Sequence, residues 1–120
     1  MPAEILTAGY QSLRDHIESD WDYVELRATE GGVVWERLKI STDPRCVWTH
    51  APGAQELEVT ITLAGDDADM TLPETFAESV LYDVAVAGSE LAKNTFTSAT
   101  LSVSSDQLVI KHKIQVPQSP

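Results

Sequence analysis

The sequence has little cysteine: Cys46 is the one cysteine among its 120 residues. A single thiol cannot close an internal disulfide and cannot alone supply the ligands of a zinc site. The absence of disulfides is compatible with folding in a reducing cytoplasm. No apolar run approaches the roughly 18 residues that a membrane-spanning helix needs. The first residues, MPAEILTAGYQ, lack the pattern of a signal peptide, so we expect neither a membrane anchor nor a secretory leader.

Basic residues are also scarce, with 8 lysines and arginines against 19 aspartates and glutamates, and the formal net charge is -11. This charge repels the phosphates of nucleic acids and anionic lipid headgroups. We therefore expect no nucleic acid and no membrane among the partners. The chain is 42 % hydrophobic and 22 % charged, as globular proteins are. Its length suits a single domain over residues 1–120.

The N-terminal part has helical spacing. Apolar residues in residues 4–19 recur three to four positions apart, at Ile5, Leu6, Tyr10, Leu13 and Ile17. Gly9 weakens the first half of this segment, so the pattern predicts a helix over about 10–19. A short amphipathic helix is not stable alone in water and needs an apolar partner.

From Trp21 the apolar period changes to two, which predicts strands. The pattern indicates a hairpin of 21–28 and 33–40 around EGG, a short strand in CVWTH, a strand at 56–64, and a second hairpin of 97–103 and 107–116 around SSD. Pro117 and Pro120 predict an extended tail. About seven short strands with frequent turns predict a mainly β protein, an antiparallel β-sandwich over about 21–116 with one short N-terminal α-helix.

Residues 73–87 fit two structures. Pro73, a capping-box spacing of Thr71 and Glu74, and apolar residues four apart would suit a helix. The run SVLYDVAV is rich in β-branched and aromatic residues, which favours the strand that we predict. The predicted core of the sandwich is Leu57, Val59, Ile61, Leu63, Leu101, Val103, Leu108, Ile110 and Ile114.

Three aspartates, Asp66, Asp67 and Asp69, follow the strand at 56–64. Carboxylates so close together could bind calcium. The D-x-D-x-D-G pattern and a suitably spaced glutamate are absent, and aspartate is common in solvated turns. The sequence therefore favours a turn with exposed carboxylates and predicts no metal site.

The histidines and Cys46 offer little catalytic chemistry. His112 shares a strand face with apolar residues, which is typical of a hydrogen-bonded core or interface histidine. His16 and His50 have no readable partner, and although either could pair with Cys46, no local motif supports nucleophilic catalysis. The G-x-S-x-G, H-E-x-x-H and P-loop motifs are absent. We therefore predict no catalytic residues, no cofactor and no enzymatic activity.

The three tryptophans, Trp21, Trp35 and Trp48, lie on predicted strands. They could form a glycan-stacking surface, as in carbohydrate-binding modules. They could also be core residues or subunit-interface anchors, because aromatic rings are enriched in both environments. The core or interface hypothesis is favoured.

Residues 78–116 resemble a segment common in phage and prophage virion proteins. The matching positions are Leu81-Tyr82-Asp83, Gly88, Thr95-Phe96 and Asp106-Gln107-Leu108-Val109-Ile110. The resemblance covers about a third of the chain, and it departs from the usual pattern in having one glycine at 88 instead of a pair. It implies a structural component of a tail or capsid rather than an enzyme, and it favours a strand over 79–86.

The leading hypothesis is a non-enzymatic assembly protein of a phage or prophage particle. It would be made in the bacterial cytoplasm and incorporated into the virion beside other virion proteins. We expect a homo-oligomer, of cyclic symmetry as closed assemblies usually have, with an interface formed by the helix or by the strands that carry Trp21 or Trp35. The alternative is a carbohydrate- or protein-binding β-sandwich module.

Overall fold

The computed structural model describes residues 4–29 and 32–116. Within them, one helix precedes seven strands: α1 Thr7–Asp20, β1 Tyr23–Arg27, β2 Val34–Lys39, β3 Cys46–Trp48, β4 Glu56–Ala64, β5 Glu74–Tyr82, β6 Ala92–Leu101 and β7 Gln107–Gln115. The strands form a four-stranded sheet in the order β2-β1-β5-β6 and a three-stranded sheet in the order β3-β4-β7. All the pairings are antiparallel. The predicted mainly β fold with one N-terminal helix is confirmed.

The core lies between the two sheets, and β4 shows how the sequence pattern produces it. Every second residue of β4 is buried, from Leu57 to Leu63, and the residues between them are only partly covered or exposed. Successive side chains of a strand point to opposite faces, so this alternation places one face on the core. Of the other predicted core residues, Leu101 and Ile110 are buried, and Leu108 and Ile114 pack partly buried against the core.

The prediction for Val103 is wrong, because this residue is 54 % exposed. It lies after β6, in the turn that leads to β7, where the alternation of the strand no longer applies. The predicted second hairpin is wrong for a related reason. β6 belongs to the four-stranded sheet and β7 to the three-stranded sheet, so the connection between them crosses the sandwich.

The turn at SSD itself is present, and one carboxylate holds it. Asp106 accepts hydrogen bonds from the backbone N–H groups of Ser102 at 2.7 Å and Val103 at 3.0 Å. A Cβ atom on Gly65 would collide with the carbonyl oxygen of Val103, so only glycine fits where the end of β4 meets this turn. After this turn the chain enters the three-stranded sheet, where β7 pairs with β4 over nine residues.

The first hairpin forms as predicted, with β1 antiparallel to β2. Glu30 and Gly31 of its EGG turn lie outside the described residues, as do Pro117 and Pro120 of the predicted tail. A β-bulge shifts the register so that Arg27 pairs with Val34 and the preceding residue of β1 pairs with Glu36. Val34 is therefore 48 % exposed although simple alternation placed it on the face of Leu38.

Three predicted boundaries need correction. The strand predicted at 97–103 is β6, which begins at Ala92 and ends at Leu101. The helix begins at Thr7 rather than near residue 10, so Gly9 lies inside it. The segment 73–87 forms a strand, as predicted, but the strand ends at Tyr82 and residues 83–87 form bends. At the end of these bends the chain adopts positive φ at Ala87 and Gly88, a conformation that a regular strand does not contain. In the described part of the chain, no helix is long and apolar enough to cross a membrane.

Candidate functional site

The acidic segment after β4 surrounds one guanidinium group. Arg45, just before β3, donates from Nε and Nη2 to Asp43 at 2.9 and 2.8 Å. It also donates to both carboxylate oxygens of Asp69 at 2.9 and 3.1 Å, and its Nη1 lies 3.3 Å from Asp67 Oδ2. Asp67 Oδ2 also accepts from the backbone N–H of Ala64 at 3.0 Å. Such charge-assisted, partly bidentate bonds are strong and geometrically specific.

These contacts give the three aspartates different environments. Asp67 and Asp69 bind Arg45, and Asp66 is exposed. The Arg45 guanidinium lowers the pKa of Asp43 and of Asp69, so both side chains stay ionised well into the acid range. Within residues 4–29 and 32–116, no group of three or more histidine, cysteine, aspartate or glutamate side chains is arranged to hold a metal ion.

Glu36 on β2 adds a further carboxyl group beside this cluster. The pKa of Glu36 is raised to about 7, chiefly by burial and in addition by hydrogen bonding and charge of the neighbouring Asp69. Its Oε2 atom is buried without a hydrogen-bond partner among the described residues. The regular alternation of β2 places Glu36 on the face of the buried Leu38, and its partner across the sheet is the fully buried Leu26. This alternation is the sequence signal that could have revealed Glu36.

We expect Glu36→Gln to stabilise the protein more at pH 8 than at pH 5. A carboxyl group whose pKa is raised from 4.5 to about 7 holds its proton longer in the folded state. Its contribution to stability therefore falls as the pH rises from about 4.5 to about 7, where the buried group ionises. Glutamine carries no such charge at either pH. The measurement is the difference in melting temperature between variant and unmodified protein across this pH range.

The Glu36→Gln variant is compared with the unmodified protein because the titration of His112 changes stability with pH in the opposite direction. Burial lowers the pKa of His112 to about 4, so its contribution to stability grows as the pH rises from about 4 to 6.5. His112 is present in both proteins and its effect cancels in the difference. A difference in melting temperature that does not change with pH contradicts the prediction for Glu36.

A second charge cluster lies on the outer face of the four-stranded sheet. Arg27 donates from Nε to Glu25 at 2.7 Å, from Nη1 to Glu78 at 2.9 Å, and from Nη2 to the hydroxyl oxygen of Tyr82 at 2.8 Å. Its Nη1 also lies 2.6 Å from Glu90. Glu78 is fully buried and Arg27 is only 6 % exposed. Charges so buried are tolerated only when they are paired and hydrogen-bonded.

Arg37 extends this cluster to the loop that follows β5. It donates to Glu25 at 2.9 Å and lies 3.6 Å above the ring centroid of Tyr82. Its Nη1 also donates to the backbone carbonyls of Val84 at 3.0 Å and Ala87 at 2.9 Å. The loop is therefore held against the outer face of the sheet by side chains from β1, β2 and β5. This explains why β1 is buried on both faces.

His112 is buried at 1 % exposure on the inner face of β7, as its apolar neighbours predicted. Its Nδ1 lies 2.9 Å from Ser79 Oγ on β5, so one hydrogen bond joins the two sheets through the core. Asn94 Nδ2 donates to the same Oγ at 3.3 Å, which leaves the serine proton to be donated to Nδ1 of a neutral imidazole. Ser79 is fully buried, and its bond to His112 holds the two sheets together.

The other predicted reactive residues have separate partners. His16 Nδ1 lies 3.0 Å from Asp20, and His50 Nε2 lies 3.2 Å from Glu18. Cys46 is buried, and burial raises the pKa of its thiol to about 12. A nucleophilic cysteine needs a thiolate, so Cys46 serves here as a core side chain.

The three tryptophans pack partly buried against the core. Trp35 meets Phe76 edge-to-face with ring centroids 5.3 Å apart, and Trp48 meets His50 in the same way at 5.8 Å. Trp21 follows α1 and also lines a cleft of about 530 Å³ between the helix and the start of β6. The rings thus have partners inside the chain, and Trp21 alone of the three lines this cleft.

No known protein family, no curated protein and no solved structure matches this chain. The role of its clusters and surfaces therefore follows from their geometry.

Proposed function

We propose that this chain is a non-enzymatic structural protein that self-associates and forms part of a phage or prophage particle. The resemblance of residues 78–116 to virion proteins supports a role in such a particle. One feature of the structure supports self-association. That feature is the apolar stripe of α1, which leaves large aliphatic side chains in solvent.

The stripe consists of Tyr10, Leu13 and Ile17 on α1, together with Leu6 at the N-cap position just before the helix. Their spacing of four, three and four residues places them along one side of a helix. Ile17 is buried, but Leu13 is 45 % and Leu6 is 67 % exposed. The sandwich thus covers the C-terminal half of the stripe and leaves the N-terminal half uncovered. Contiguous exposed apolar surface of this kind marks interaction sites.

The charged groups of the sandwich support the same function. Arg27 and Arg45 are each surrounded by carboxylates of the same chain. Neither cluster has the arrangement of a catalytic site. Both clusters hold loops in place. The alternative, a carbohydrate-binding module, gains no support from the tryptophan rings, because they pack against the core.

We expect the intact protein to sediment as a defined oligomer at about 100 µM, and Leu6→Asp or Leu13→Asp to weaken association about tenfold or more. Burying a leucine contributes roughly 1.5–3 kcal/mol, and about 1.4 kcal/mol corresponds to a factor of ten. Ser12→Asp adds the same charge beside the stripe and should leave the oligomer unchanged. An unmodified protein that remains monomeric at this concentration would contradict the proposed function.

A further inference from the structure

All five N–H donors of the Arg45 guanidinium bind aspartates. An arginine side chain carries five such donors. Nε and one Nη2 donor bind Asp43, one donor of each Nη atom binds Asp69, and the second Nη1 donor binds Asp67. Glu36, the fourth carboxyl group of this cluster, therefore receives none of these donors.

The surroundings of Glu36 favour a protonated carboxyl group. Its Oε2 is buried and has no hydrogen-bond partner among the described residues. Burying an ionised oxygen with no donor and no free cation beside it is costly. A protonated carboxyl group can itself donate a hydrogen bond. Its acceptor is Asp69, which is in hydrogen-bonding contact with Glu36 and which Arg45 keeps ionised.

This hydrogen bond joins two parts of the sandwich. Asp69 belongs to residues 65–73, the loop that connects β4 to β5. Glu36 belongs to β2, an edge strand of the four-stranded sheet. Two side chains of the loop, Met70 and Leu72, pack partly buried against the core. The bond between Glu36 and Asp69 therefore ties the loop, with its apolar side chains, to the edge of the sheet.

We propose that the proton shared by Glu36 and Asp69 holds the loop 65–73 against β2, and that loss of this proton near neutral pH loosens the loop. Once ionised, Glu36 repels Asp69, because two carboxylates in contact share one proton more favourably than none. The new charge also faces Asp43, whereas Arg45, whose donors are already bound, attracts it.

The direction of the pH dependence follows from which form of the loop holds the proton more tightly. The pKa of Glu36 is about 7 while the loop is closed, and it returns toward the ordinary value of 4.5 when the loop opens to water. Between these values the closed form binds more protons than the open form, so the closed form loses stability as the pH rises. Above about pH 7 both forms are ionised and the dependence ends.

Hydrogen exchange of two loop amides measures the opening. The backbone N–H of Asp67 donates to Ala64 at 3.1 Å, and that of Met70 donates to Asp67 at 3.0 Å. Their protection factors should fall about tenfold or more between about pH 5 and 7 and stay level above it. The N–H of Ile61 reports global unfolding, because β4 is hydrogen-bonded on both sides. A fall in the loop without an equal fall at Ile61 identifies local loosening.

Two variants separate the Glu36 proton from other effects of pH. Glu36→Gln keeps an N–H donor toward Asp69 but does not titrate, so the protection of the loop amides should be the same at pH 5 and 7. Asp66 is an exposed carboxylate of the same loop. Asp66→Asn is the matched control and should keep the pH dependence of the unmodified protein. Thermal melts show whether each variant is folded.

The unmodified protein supplies a second measurement that needs no variant. The ¹³C chemical shift of the Glu36 side-chain carboxyl carbon should titrate with a midpoint near pH 7. A midpoint near 4.5 would show that Glu36 is ionised in the closed loop, and the proposal would be wrong. Loop protection that is constant between pH 5 and 7, or that falls equally in Glu36→Gln, would overturn it as well. The loosening needs no second copy of the chain, so these results leave self-association untouched.

Discussion

Replacing Arg27 by alanine is expected to lower the free energy of unfolding by about 3–5 kcal/mol, the usual cost of removing one partner of a buried ion pair. Glu78 is fully buried and its Oε1 lies 2.9 Å from the Arg27 guanidinium. Without Arg27 this carboxylate would lose its cation in a site closed to solvent. The loop carrying Glu90 would also lose its contact with Arg27. Urea denaturation of the variant and the unmodified protein measures the difference.

A double variant and a surface variant serve as controls. Arg27→Met/Glu78→Met removes both charges, and should therefore cost less than the sum of the two single changes, because neither charge is left buried alone. Lys39→Ala changes an exposed cation on the neighbouring strand and should alter stability by no more than about 0.5 kcal/mol. A loss below about 1 kcal/mol for Arg27→Ala would show that solvent reaches the cluster.

Ile61→Ala is expected to cost about 2–5 kcal/mol, the range for truncating a buried isoleucine or leucine. Ile61 is fully buried at the centre of β4, where it pairs with Cys46 on one side and Ile110 on the other. β4 is hydrogen-bonded to β3 on one side and to β7 on the other, so the site has little freedom to collapse around the cavity. The midpoint of chemical denaturation should therefore shift strongly to lower denaturant.

Val109→Ala is the matched control for this change. Val109 lies on β7, the neighbouring strand, and is 51 % exposed on the outer face. Its truncation should cost less than about 0.5 kcal/mol. Equal losses at the two positions would mean that the assignment of inner and outer faces is wrong.

The sequence by itself determined the features that depend on local periodicity. The alternation in residues 56–64 predicted both the strand β4 and its buried face, because a strand places successive side chains on opposite sides. The helical spacing before Trp21 predicted α1. The apolar neighbours of His112 predicted its burial. In each case the pattern lies within about ten residues of the chain.

Only the tertiary structure decided the features that join distant segments. Arg45 meets Asp67 and Asp69 across more than twenty residues, and Arg27 meets Glu78 across 51. In the sequence Arg27 looks like an ordinary polar position on an exposed strand face. The loop after β5, which carries Glu90, covers it instead. Likewise, β7 joins the sheet of β4 rather than pairing with β6, because crossing the sandwich lets it bury Ile110 and His112 between the sheets.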